Sequence, residues 1–141
     1  MPSVEPPRVV IDTNVLFEGL TKQGGAAGLI IDAWRVGLLR VYVSNALAYE
    51  YADVLSRKLS AARWQRLKPV LGALLVQVEF TPIYYSWRPS SPDPSDDHVI
   101  DCAMNAGATV ISNNVRDFQL AKRTLGLQVI TPGEFIHQLA E

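Results

Sequence analysis

Four acidic residues fall where an element of regular structure begins or ends. Asp12 follows the apolar run Arg8-Val9-Val10-Ile11, Glu50 lies two turns into a helical pattern opened by Ser44, Asp97 heads another, and Asp117 follows Thr109-Val110-Ile111-Ser112. In an open α/β sheet, groups just beyond the carboxyl ends of strands converge on one edge, where ligands bind. Each acid also has a plainer reading: Asp12, Asp97 and Asp117 as caps, Glu50 as a solvated helix residue. Three such carboxylates gathered within a few ångströms would repel one another and raise one another's pKa values unless a cation sat among them. Oxygen-only donors select a hard ion, Mg²⁺ or Mn²⁺. Zinc is disfavoured, because His137 is remote from the acids in sequence and His98, beside Asp97, has no histidine at ligand spacing. A hard ion held by few carboxylates keeps several waters and can acidify one for attack on phosphorus, so the pocket suits phosphodiester hydrolysis.

The elements that must carry these acids alternate between short β-rich runs and helical patterns, which reads as α/β. Strands are predicted at Arg8–Ile11, Arg40–Val43, Thr109–Ser112 and Leu127–Ile130, with a short fifth at Glu79–Ile83. Between them, after a turn at Gly24-Gly25, helical spacing covers residues 26–36. Ser44 caps a helix through Leu55, and residues 60–78 form another, broken or re-entered at Pro69. Three prolines make residues 87–95 a loop. Helix then runs from about Asp97 to Gly107, a short piece spans Asp117 to Thr124, and Thr131-Pro132-Gly133-Glu134 opens a C-terminal helix with a capping box. Strands joined by crossover helices imply a three-layer α/β/α sandwich around a mainly parallel sheet of 4–5 strands.

With 141 residues, 48% hydrophobic and 19% charged, the expectation is one domain over residues 1–141 with a flexible N-terminus through residue 7. No apolar run approaches the roughly 18 residues of a membrane helix. The single cysteine, Cys102, and an N-terminus without a secretion pattern point to a reducing cytoplasm. A formal charge of −1 means that affinity for nucleic acid must be local. The first seventy residues are nevertheless basic on balance. Arg57, Lys58, Arg63, Arg66 and Lys68 occur together with Trp64 interleaved and no acid among them, either as a track for an RNA backbone or as a solvated helix face with Trp64 turned inward.

Four segments, in order and in register, carry a resemblance. They are Val9-Val10-Ile11-Asp12-Thr13-Asn14-Val15-Leu16, then Ser44 through Leu55 around Tyr49-Glu50-Tyr51, then Asp93-Pro94-Ser95-Asp96-Asp97-His98-Val99-Ile100-Asp101-Cys102-Ala103, then Val110-Ile111-Ser112-Asn113-Asn114-Val115-Arg116-Asp117-Phe118. Over about residues 8–138 the chain resembles the PIN-domain nucleases, most of all the PIN-type (VapC-like) toxins of prokaryotic toxin-antitoxin systems. The resemblance implies a Mg²⁺- or Mn²⁺-dependent endoribonuclease acting on single-stranded RNA. It places Asp12, Glu50, Asp97 and Asp117 at the acidic quartet that holds the metal and does the chemistry, supported by Asn14 and Ser112. Two positions depart from the pattern. Asn114 stands where some relatives have an acid, and Asp101 stands one turn after Asp97 where relatives have a small residue, as an added ligand or a solvated acid. Asp93 and Asp96 read as loop and capping acids.

Rival families fit less well. A haloacid-dehalogenase-type phosphotransferase needs a second aspartate where Asn14 stands, and a receiver domain needs an acidic pair at the first strand. The alternative outside enzymes is a non-catalytic RNA-binding or protein-interaction module on the same fold. Expected partners are RNA, a second copy of the chain and an antitoxin protein. The homodimer is argued from the apolar residues of 26–36 and Val70–Val78, with Trp34, Tyr49, Tyr51 and Trp64 as aromatic anchors.

Overall fold

The computed structural model describes residues 5–86 and 94–141, with Pro94 and Ser95 described in their backbone alone. Five strands, β1 (Arg8–Ile11), β2 (Arg40–Val43), β3 (Glu79–Phe80), β4 (Thr109–Ile111) and β5 (Val129–Ile130), form a sheet in the order β3-β2-β1-β4-β5, every pair parallel. Among the described residues seven helices surround it: α1 (Thr13–Thr21), α2 (Gly25–Arg35), α3 (Asn45–Lys58), α4 (Ala61–Val76), α5 (Pro94–Ala106), α6 (Gln119–Leu125) and α7 (Pro132–Ala140), with a 3₁₀ turn at Val115–Phe118. Successive strand side chains point to opposite faces, yet Val9, Val10 and Ile11 are all buried, as are Val41, Tyr42 and Val43. Both faces are therefore covered, and the chain is a three-layer α/β/α sandwich. Among the described residues no helix is long and apolar enough to cross a membrane.

The local signals act as their chemistry requires. The Ser44 hydroxyl accepts from the Leu47 amide at 3.1 Å; at the head of α7 the Thr131 hydroxyl accepts from the Glu134 amide at 3.1 Å and donates to Glu134 Oε1 at 2.9 Å, so the expected capping box is present only in its N-cap half. Gly24 and Gly25 hold positive φ of 79° and 80°, which turns the chain from α1 into α2.

Other elements differ from the sequence reading. Helix α1 was not anticipated, since its apolar stripe is short and is interrupted by Gly19, a poor helix former. A side chain at Gly19 would begin 2.5 Å from Ile31 Cγ1 and 2.7 Å from the Ala27 carbonyl oxygen, so glycine is what lets α1 and α2 pack nearly backbone to backbone. Pro69 does not break α4. It is exposed, and the Gln65 carbonyl that loses its amide partner belongs to a residue that is also exposed. Helix α5 starts at Pro94, inside the expected loop, because proline is tolerated in a first turn whose N–H groups have no intrahelical acceptor. Strands β3, β4 and β5 are shorter than their apolar runs. At the N-terminus Pro7 is already tied in, its carbonyl accepting from the Arg40 amide at 2.9 Å. Trp34 and Tyr51, expected as interface anchors, are wholly interior, and Trp64 is packed against the core.

Candidate active site

The chain builds β2 and β3 on one side of β1 and β4 and β5 on the other, so the topological switch point lies between β1 and β4. There the carboxyl ends of two parallel strands diverge and leave a crevice. Ile11 pairs with Ile111, and one residue further along, Asp12 and Ser112 face each other across it. The Ser112 hydroxyl donates to Asp12 Oδ2 at 2.6 Å and accepts from the Asn114 amide at 2.9 Å, and the Asp12 amide donates to the Ile111 carbonyl. Asp12 occupies the N-cap position of α1, where its backbone carbonyl accepts from Val15 and Leu16. Its side chain makes no cap bond, so the carboxylate is committed to the crevice and not to the helix.

Glu50 arrives from α3, half-buried. The Thr13 hydroxyl donates to Glu50 Oε2 at 2.5 Å, while the next residue of α3, Tyr51, donates its hydroxyl to the Ile11 carbonyl. Burial pushes the Tyr51 phenol well above its ordinary range, and Cys102, Asp12 and Glu50 add to the effect, so both carboxylates lie within electrostatic reach of the same hydroxyl. Thr13 and Tyr51 are site residues that sequence reasoning missed. The available signal was their adjacency to Asp12 and Glu50, since the neighbours of a ligand commonly orient it.

Asp97 is buried in the first turns of α5, as its fourth residue and not at its cap, and α5 packs across β1, β2 and β4 beside α3. Asp101, one turn on and on the same helix face, is also buried, so the solvated alternative for it is withdrawn. Its carbonyl accepts from the Asn105 side chain at 2.8 Å. Asp96, read as a capping acid, stands at the third helical position, partly buried. Among the described residues, the buried charged side chains are Asp12, Asp97 and Asp101, all acidic. Asp117 sits on the 3₁₀ turn and is exposed, as are Asn14 and Asn114. Thus Asp12 and Glu50 are joined through consecutive residues and hydroxyl contacts, Asp97 and Asp101 share a helix face, and Asp117 is carried by the 3₁₀ turn after β4. No three of the described His, Cys, Asp and Glu side chains are close enough to share one metal ion.

The donor chemistry still fits a hard divalent cation. Mg²⁺ is habitually held by one or two carboxylates, with waters and substrate phosphates filling the remaining positions, and seldom by a closed protein cage. A hydroxyl also meets each of Asp12 and Glu50, which orients the two carboxylates.

Behind the site, burial pushes the Cys102 thiol from 9.0 up to about 12. The basic residues lie on the end of α3 and on α4, and all are exposed. Arg57 pairs with Asp53 at 2.9 Å, Lys58 stands 5.3 Å from the centre of the Phe17 ring, and Arg63 reaches toward the Thr21 carbonyl. Trp64 is partly buried and packs against the core.

Comparison with known proteins identifies the family and agrees with the fold. The chain belongs to the PIN-domain family, whose model, described as PIN domain, matches residues 8–116. No curated protein matches it. Similar solved structures include VapBC2 from Rickettsia felis bound to a DNA fragment from their promoter, at 13% identity and a TM-score of 0.63 over 88% of this chain and 98% of that one. FitAcB from Neisseria gonorrhoeae is similar at 19% identity and a TM-score of 0.63 over 88% and 97%. VapBC-1 from nontypeable Haemophilus influenzae is similar at 17% identity and a TM-score of 0.58 over 89% and 98%. At these identities the likeness concerns the fold.

Proposed function

We propose that this PIN-domain protein is a Mg²⁺- or Mn²⁺-dependent endoribonuclease that hydrolyses phosphodiester bonds of single-stranded RNA in the cytoplasm, as the toxin of a toxin-antitoxin pair. The observation that carries this reading is the pair of hydroxyl-held carboxylates, Asp12 with Ser112 and Glu50 with Thr13, beside the switch-point crevice. Asp12 and Glu50 would hold the cation, with Asp97 and Asp117 completing the acidic set. When bound, the cation supplies charge neutralisation at the phosphate and an acidified water. Ser112 and Thr13 orient their carboxylates. Asp101 deepens the negative field that attracts the ion, and the exposed amides of Asn14 and Asn114 can donate to phosphate oxygens. The test is cleavage of single-stranded RNA by the purified protein. Cleavage with Mn²⁺ that stops on chelation supports the proposal, and RNA binding without cleavage at any metal concentration overturns it.

One observation favours the second reading, a non-catalytic RNA-binding or interaction module: the described acids do not form a ready three-ligand cluster. The same cleavage assay decides between the two.

The exposed cations of α3 and α4 would guide the RNA backbone. Changing Arg63 and Arg66 together to Ala is expected to weaken RNA binding and to lower the slope of log K against log salt by about 1 to 1.5, as two phosphate contacts on a single strand require, with turnover at saturating RNA unchanged. An unchanged slope, measured by fluorescence anisotropy between low and moderate salt, returns these residues to a solvated face.

The proposed protein partners are an antitoxin and a second copy of the chain. With Trp34 and Tyr51 interior, the exposed aromatic groups proposed for a homodimer are Tyr49, 79% exposed, and Phe80, 55% exposed, which line a common groove with Ala48, Ala52 and Leu75. Sedimentation equilibrium is expected to give a dimer mass that falls to the monomer when Tyr49 and Phe80 are changed to Ser. A monomer at all concentrations refutes the homodimer.

A further inference from the structure

Two consecutive residues of α3 are tied to the two residues that flank Asp12. Tyr51 donates its hydroxyl down to the carbonyl of Ile11, the last residue of β1, and Glu50 accepts from the hydroxyl of Thr13, the first residue of α1. The bonds run in opposite directions across one gap, from α3 to β1 and from α1 to α3. Asp12 lies between their anchor points. Neither the β1–α1 turn nor α3 can slide along the other without lengthening at least one of these bonds, and with them the separation of the two carboxylates.

The chemistry of the two hydroxyls suits this role. The phenol of Tyr51 is entirely buried, and its hydroxyl donates to the Ile11 carbonyl. Its ring is surrounded by the core, which leaves the hydroxyl one orientation. Thr13 is buried as well, and its β-branching restricts χ1, with the hydroxyl held on Glu50 Oε2. A bond made only to satisfy a buried phenol needs no second bond from the adjacent residue to the other side of the same aspartate.

We propose that Thr13 and Tyr51 are positioning residues that form a two-bond bracket between α3 and the β1–α1 turn and fix the spacing of the Asp12 and Glu50 carboxylates for a divalent cation. The inference rests on the reading of these two acids as the ion-holding pair, and it assigns the precision of that pair to α3, beyond the direct Ser112 contact.

Four proteins test it: wild type, Thr13→Val, Thr13→Ser and Tyr51→Phe, each compared by circular dichroism and melting temperature without metal. Mn²⁺ binding is then read directly by the loss of the free-ion electron paramagnetic resonance signal, independently of cleavage. Thr13→Val keeps the branched shape and removes the hydroxyl, and Tyr51→Phe keeps the ring. Each is expected to weaken Mn²⁺ binding about tenfold, as loss of a group that orients a ligand does, while Thr13→Ser stays within about twofold of wild type. The Mn²⁺ concentration for half-maximal cleavage should rise in parallel.

Wild-type affinity in both Thr13→Val and Tyr51→Phe overturns the bracket alone. A loss in Thr13→Ser equal to that in Thr13→Val also overturns it, since the hydroxyl would then not be the operative group. A wild type that binds no Mn²⁺ overturns the site reading and the bracket with it. Should Tyr51→Phe fail to fold, the two Thr13 variants decide.

Discussion

Replacing Asp12 by Asn is expected to lower RNA cleavage by at least about a thousandfold, equivalent to roughly 4 kcal/mol of transition-state stabilisation, while the fold is retained. The substitution keeps the shape of the side chain, and an amide oxygen at the same place can still accept from Ser112. What is lost is one formal negative charge at the mouth of the crevice. Two measurements separate a site effect from a folding effect. Without metal, the variant should melt at or above the wild-type temperature, because a carboxylate has been removed from an acidic site. With Mn²⁺ at about a hundred times its dissociation constant, the wild type should gain roughly 2.7 kcal/mol and the variant far less. Glu50→Gln and Asp97→Asn should act in the same direction, and combinations should fall well short of the product of the single losses, since the groups serve one site. Wild-type turnover in Asp12→Asn, in protein freed of contaminating nucleases, refutes the assignment.

A second large effect is expected in alkali. The Cys102 thiol is fully buried and titrates near 12, whereas in the unfolded chain it would titrate near 9.0. Between those values the unfolded state has lost a proton that the native state keeps. Stability is therefore fully present below pH 9 and declines as pH rises toward 12, at about 1.4 kcal/mol per unit and by roughly 4 kcal/mol in all. Tyr51, also raised by burial, adds a decline of the same sign above pH 10. Urea unfolding at intervals of half a pH unit should show the slope beginning near pH 9 in the wild type and near pH 10 in Cys102→Ala, whatever that variant costs at neutral pH. Identical slopes between pH 9 and 10 would contradict the burial argument.

The residue pattern revealed the fold where burial and capping are local properties. The strand β1, with no polar face, announced a sheet covered on both sides, and Ser44 and Thr131 announced their helices. It failed where packing between elements decides. Helix α1 exists because Gly19 lets it lie against α2, which no window confined to residues 13–21 reveals. Pro69 was over-read as a break because its effect depends on which way the missing bond faces. At the candidate site the acids were legible as residue types at the ends of elements, and the exclusion of Asp12 from capping became visible only in the side-chain contacts. Thr13 and Tyr51 escaped notice because a hydroxyl becomes a positioning group only through its partner, and their partners lie 37 and 40 residues away. The aromatic anchors failed for a related reason, since Trp34 and Tyr51 are large enough to fill the interior and do so.

The central place of β1 in the sheet bears on the order in which this protein can be completed during synthesis. Of the five described strands β1 is made first, yet it needs neighbours on both sides, and they come at very different times. β2 follows after two helices, together with α3 and its bonds to Ile11 and Thr13, so one flank of Asp12 can be set early. The other flank waits for β4, and Ser112 is separated from Asp12 by 100 residues. Long-range parallel pairing of this kind forms late, because the intervening chain must be closed before any contact repays it. A nascent chain that stops short of β4 therefore carries Asp12 and Glu50 but lacks the hydroxyl and the strand that complete the crevice. Assembly of the crevice is thereby coupled to the synthesis of β4, and until Ser112 has been made Asp12 is without its hydroxyl partner.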